Sequence, residues 1–172
     1  RGHRFVRYAD DCMIFCKSRK SAERTLKNII PFIEKKLFLK VNRKKTEVAH
    51  ISTVKYLGYS IYRHKGKCRF RVHPKSVAKM KNRIRELTDR NKGISNEVRE
   101  KKYQEYVRGW VEYFRLADMK KLLQKTDEWA RRRIRAVYWK QWKKIKTKCR
   151  MLKALGLEDW KAKELANSRK GY

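Results

Sequence analysis

The chain has 172 residues, 41% hydrophobic and 39% charged, and its 50 lysines and arginines against 17 acids leave a net charge of +33. That length holds one ordinary domain or two small ones with a real core. No apolar run approaches the ~20 residues that span a bilayer, which excludes a membrane-spanning helix, and no signal-peptide core is present.

So one-signed a surface needs an anionic partner. Nucleic acid is the natural one, because neutralised phosphates release condensed counterions, and a membrane surface is the weaker rival. Residues 1–73 carry 20 basic and 5 acidic side chains, and residues 74–172 carry 30 and 12. Both halves therefore face the same kind of ligand, as a long groove would. Cys12, Cys16, Cys68 and Cys149 are spread too widely for a zinc site or a disulfide framework. They read as free thiols of a reducing cytoplasm. The chain starts at Arg1, not at a methionine, with a strand almost at once, and so reads as a piece of a longer protein.

In chain order, residues 4–9 and 12–16 are β-prone runs on either side of Asp10-Asp11, a hairpin with acids at its tip. Ala22, Leu26, Ile29, Ile30, Ile33 and Leu37 recur at helical spacing, with Pro31 predicting a kink or a late break. Three β-prone pieces follow at 47–51, 55–62 and 68–72, and His64-Lys65-Gly66-Lys67 turns the chain between the last two. Pro74 marks a change to helical periodicity. Val77, Met80, Ile84 and Leu87 form one stripe, which stops near Asp89-Arg90-Asn91-Lys92-Gly93. Val98, Tyr106, Val107, Trp110, Val111 and Phe114 face inward on a second helix. Asp118 is the expected N-cap of a third, through Leu122, Trp129, Ile134 and Val137 to Trp142. A final pair breaks at Gly156. The fold class is α+β, with an α+β piece at 1–73 and an all-α piece at 74–172.

Two adjacent acids at a hairpin tip repel each other, and a divalent cation removes that cost. Two magnesium ions held this way can stabilise the attacking and leaving oxygens of phosphoryl transfer. Tyr8-Ala9-Asp10-Asp11 resembles the tyrosine-x-aspartate-aspartate box of reverse transcriptases, and Arg7 before it is typical of the bacterial branch. Lys45-Thr46 follows in place of the next palm motif, and Tyr56-Leu57-Gly58-Tyr59 resembles the primer grip. Gly109-Trp110 with Tyr113-Phe114 resembles the thumb, or maturase, domain of group II intron proteins. Ala166-Asn167-Ser168-Arg169-Lys170-Gly171-Tyr172 resembles the segment that closes it.

The resemblance implies the later part of a reverse-transcriptase palm, residues 1–73, followed by a helical thumb at 74–172. It implies RNA-directed DNA synthesis in the parent protein, with help in splicing and retrohoming of the host intron. Asp10 is then the main Mg2+ ligand and Asp11 an electrostatic support. Tyr8 and Ala9 lie near the incoming nucleotide and primer end, and Leu57 and Gly58 let the primer backbone approach. Lys45 is a candidate proton donor to pyrophosphate, with plain phosphate contact as its alternative. The implied partners are intron RNA, an RNA/DNA template-primer duplex and a dNTP. Such enzymes need a further aspartate on an earlier palm strand and a set of fingers, which this sequence lacks, so the chain alone is expected not to extend a primer.

Residues 131–150 hold ten basic side chains and no acid. Arg131, Arg132, Arg133, Lys140, Lys143, Lys144 and Lys148 are candidate RNA contacts, with Trp139 and Trp142 interleaved. Trp110, Tyr113, Phe114 and Trp129 are read as bundle core from their register. His3, His50, His64 and His73 form no cluster. Other readings are a non-catalytic splicing factor descended from such an enzyme, a retron, diversity-generating or CRISPR-linked reverse transcriptase, and a basic ribosome-type protein. The thumb motif speaks against the second, and the acidic hairpin against the first and third.

Overall fold

The structure is a computed structural model that describes residues 2–168. Among these, two two-stranded antiparallel ribbons and six helices make up an α+β fold. The chain divides into two compact units, Arg1–His73 and Pro74–Tyr172.

The first unit opens with β1 (Arg4–Tyr8) and β2 (Asp11–Phe15), followed by α1 (Arg19–Lys36). Ser18 caps α1 by accepting the Ser21 N–H at 3.3 Å, satisfying a donor that the first turn leaves free. The helix runs through Pro31 to Lys36 instead of ending at the proline. The 47–51 piece is not a strand. The His50 carbonyl accepts both the N–H (2.9 Å) and the hydroxyl (2.8 Å) of Thr53, closing a local turn that competes with any ladder. The second ribbon pairs β3 (Tyr59–His64) with β4 (Lys67–Val72). Its two-residue turn takes φ +47 at Lys65 and +75 at Gly66, the signs of a type I′ turn, whose twist matches the strands. Of the described residues in this unit, only Ser60 and Val72 are fully buried.

The second unit contains α2 (Pro74–Leu87), α3 (Asn96–Tyr113), α4 (Lys120–Gln141), α5 (Ile145–Ala154) and α6 (Asp159–Asn167). Pro74 opens α2, where a missing N–H costs nothing. One core joins Met80, Ile84 and Ala130, flanked by Tyr103, Tyr106, Trp110 and Trp129. A second joins Trp142, Leu152, Ala162 and Ala166, flanked by Tyr138, Trp139 and Cys149.

Three expectations change here. Val98 is 44% exposed and its neighbour Arg99 is buried, because α3 turns residues 99, 103, 106 and 110 inward. Asp118 does not cap α4: Met119 holds the N-cap position, without a side-chain bond. Of the four aromatics read as core, Phe114 is buried and Trp110 and Trp129 flank the first core, but Tyr113 is 56% exposed.

Gly156 ends α5. Its N–H donates to the Lys153 carbonyl at 2.9 Å and the Leu157 N–H to the Leu152 carbonyl at 3.2 Å, a Schellman closure that needs the left-handed residue between them. Gly156 supplies φ +89, and an added Cβ would meet open space. Gly156→Ala should therefore cost about 1 kcal/mol through backbone conformation alone. Chemical denaturation of the chain measures it, and an unchanged midpoint would refute the capping role.

Candidate functional site

The β1–β2 register pairs Tyr8 with Asp11 and Arg7 with Cys12, leaving Ala9 and Asp10 as the two turn residues. The two acids are thus separated: Asp10 occupies the turn, and Asp11 begins β2. Ala9 takes φ +52, a conformation that favours glycine and costs an alanine on the order of 1 kcal/mol. The Arg7 Nε donates to the Ala9 carbonyl at 2.9 Å and helps to hold that turn. Sequence pattern gave Arg7 no such role.

Both carboxylates are exposed, and neither makes a hydrogen bond or ion pair among the described residues. Of the three other acids of the first unit, two pair with cations, Glu23 with Arg19 and Glu34 with Arg43. Among the described residues no three His, Cys, Asp or Glu side chains gather as a metal cluster. The donor set present is two hard oxygen ligands at one hairpin end, which suits Mg2+ in kind but supplies only part of a coordination shell. Tyr8 beside them is 65% exposed.

The Tyr56-Leu57-Gly58-Tyr59 segment is itself a tight turn. Tyr56 and Tyr59 exchange backbone hydrogen bonds of 3.0 and 2.9 Å, with φ +48 at Leu57 and +83 at Gly58. The Gly58 carbonyl accepts the His73 N–H at 2.9 Å. Glycine is required here by the turn itself. The Tyr56 hydroxyl is buried without a hydrogen-bond partner. Burial, and then the negative charges of Asp11 and Cys12, push its pKa above the usual 10.0, so the turn stands within electrostatic reach of the start of β2. Lys45 is exposed in a turn closed by its own N–H to the Asn42 carbonyl at 3.1 Å, and makes no hydrogen bond or ion pair with the hairpin.

The cationic run does not form one helical face, because α4 ends at Gln141, Trp142 caps it, and Lys143-Lys144 lie before α5. Several of its members are also committed to protein. Arg133 donates from Nε to the Thr88 hydroxyl at 2.7 Å and from Nη2 to the Arg85 carbonyl at 3.3 Å. Its guanidinium lies 5.5 Å from the Trp129 ring centre, as does that of Arg85. Arg131 pairs with Asp127 at 2.8 Å, Lys140 donates to Asn91, and Lys148 sits 5.4 Å from the Trp139 ring. Arg132, Lys143 and Lys144 remain exposed and without such partners among the described residues, as do Arg135, Lys146 and Arg150, which were not singled out from sequence. Of the closing motif, Ala166 and Asn167 end α6 and Ser168 caps it, while residues 169–172 lie outside the described residues.

No helix among the described residues is long and apolar enough to cross a membrane. No curated protein matches the chain. The family model of reverse transcriptase (RNA-dependent DNA polymerase) matches residues 1–61, and the model of the group II intron maturase-specific domain matches residues 77–156. The first match contains the acidic hairpin and the Tyr56–Tyr59 turn, the second the helices from α2 to α5. The two matches stand in the order that the motifs predict, and the chain belongs to the group II intron reverse transcriptases, which join an RNA-directed DNA polymerase to a maturase.

Proposed function

We propose that the β1–β2 hairpin is the carboxylate end of the polymerase site, and that the second unit holds intron RNA through its uncommitted cations. The observation that carries the first part is the pair Asp10 and Asp11, exposed and unpaired among the described residues in a chain of net charge +33. Cations are abundant, and a carboxylate left without one is available to a metal. Asp10, in the turn, is the main ligand for Mg2+, and Asp11 adds negative charge from the first position of β2. When bound, the metal supplies charge stabilisation to the oxygens of phosphoryl transfer.

The chain's own residues position the rest. Arg7 holds the strained turn, so that Asp10 is fixed before any ligand arrives. Tyr8 and Ala9 border the place of the incoming nucleotide and the primer end. Leu57 and Gly58 present the tip of a rigid turn to the primer backbone. Lys45 contacts phosphate, and no contact with the hairpin supports the proton-donor role. Intron RNA and the template-primer duplex are the partners, read largely through phosphates and shape. The thiols fit a reducing cytoplasm.

Mn2+ titrated in place of Mg2+ tests the site in the chain itself. Paramagnetic broadening should fall first on the backbone amides of Ala9 to Cys12 and disappear in the Asp10→Asn, Asp11→Asn double variant. Broadening that survives those substitutions would remove the metal from this hairpin.

A further inference from the structure

Trp160 is 63% exposed, while the adjoining core is filled by Trp142, Leu152, Ala162 and Ala166. It lies on the second residue of α6, beyond the residues matched by the maturase model. Its orientation is nonetheless fixed. The indole Nε1 donates to the Glu158 carboxylate at 2.6 Å, and Lys161 Nζ lies 6.0 Å from the ring centre. Burial does not hold this indole, yet a polar tether does, which leaves apolar ring surface presented to solvent.

A cationic stripe leads to it. Lys146, Arg150 and Lys153 follow one another on α5 at spacings of four and three, which places them on one face. The helix contains no acid at all. At its end Lys153 pairs with Asp159, the residue before Trp160, and Lys163 pairs with the other oxygen of the same carboxylate at 2.7 Å. The acids next to the ring are therefore already engaged: Asp159 by two lysines and Glu158 by the indole.

We propose that the α5–α6 hairpin is a binding site for single-stranded RNA, with the backbone along Lys146 and Arg150 and one unpaired base stacked on Trp160. A duplex is held through its phosphates and offers no free base face, so it has no use for a fixed, exposed indole. An unpaired base does, whatever its identity, since every base has a π-face. The inference rests on the reading of this chain as an RNA-binding maturase and assigns one part of that binding to a place and a form of RNA.

The test uses the full chain, with fluorescence anisotropy of a labelled twelve-nucleotide oligouridine and of a labelled twelve-base-pair RNA duplex. Trp160→Ala should weaken the single strand by about tenfold and leave the duplex unchanged, while Trp160→Phe keeps most of the affinity. Replacing Lys146 and Arg150 with glutamine should flatten the salt dependence of single-strand binding by about 0.7 in log–log slope for each cation. Equal loss on both RNAs in Trp160→Ala, or loss on neither, overturns the stacking site and leaves RNA binding by this unit standing; the second result would make the indole a protein contact. Wild-type chain that binds neither RNA overturns the maturase reading as well. Unchanged thermal melting of Trp160→Ala separates lost stacking from lost fold.

Discussion

Alanine in place of Asp10 should abolish DNA synthesis by a polymerisation-competent protein that carries this segment, and should leave splicing of its intron intact. Asp10 is exposed in a two-residue turn and its carboxylate bonds to none of the described residues, so its removal takes no support from the hairpin. On the proposed reading, what is lost is a ligand for the ion that would stabilise charge on the reacting oxygens. Such stabilisation is worth several kcal/mol, and each ~1.4 kcal/mol is a factor of ten in rate. Synthesis should fall by about a thousandfold or more. On the same reading splicing should depend instead on cations such as Arg132, Lys143 and Lys144 in the other unit, which the substitution does not touch. Primer extension and a splicing assay on the same preparation decide the matter. Synthesis within tenfold of the parent would refute the metal role of Asp10, and loss of splicing as well would point to damage of the fold. The same extension assay on this chain alone should show no product, since the described residues gather only two carboxylates at the hairpin.

The largest effect on stability should come from Arg99→Ala. Arg99 is 4% exposed and has no acidic partner. Its Nη1 donates to the carbonyls of Leu87 at 2.7 Å and Asp89 at 2.9 Å, and its Nη2 to that of Lys92 at 3.3 Å. Leu87 ends α2, where carbonyls have no helical partner and the helix dipole favours a cation. One side chain of α3 thus caps α2 and fixes the segment between the two helices. A buried hydrogen bond to a charged group is worth ~1.5–3 kcal/mol, and removal also leaves a cavity. A loss of about 3–5 kcal/mol is expected, and with it a fall in Tm of ten degrees or more, since ~1 kcal/mol moves a domain of this size by ~4–8 °C. Arg99→Lys should recover a part, because an ammonium cannot span all three carbonyls. A melting curve for Arg99→Ala that overlays the parent would refute this capping account.

Much of the fold was written locally. Apolar spacing in 77–87 and the β-prone runs around Asp10-Asp11 produced their helix and strands, since periodicity decides which face can be buried. Turn chemistry was equally direct at Lys65-Gly66 and Gly156, where positive φ falls on or beside a glycine. The same rules failed where a local bond outweighed them. The 47–51 piece lost its strand to the hydrogen bonds at His50.

The family was also legible from sequence, because the motif around Asp10 and Asp11 is contiguous and the family matches follow the order of the motifs. Its shape was not. Which acid sits in the turn depends on the ladder register, and the burial of the Tyr56 hydroxyl within reach of Asp11 depends on a second turn more than forty residues away. The cations divide in the same way. Sequence fixed their number and their lack of acidic neighbours, and hence the need for a polyanion. Only the tertiary structure could assign Arg133 to Thr88, Lys148 to Trp139 and Arg99 to the end of α2. A guanidinium or ammonium donates to whatever acceptor the fold brings near, and those acceptors come from other helices and loops, which no local pattern encodes.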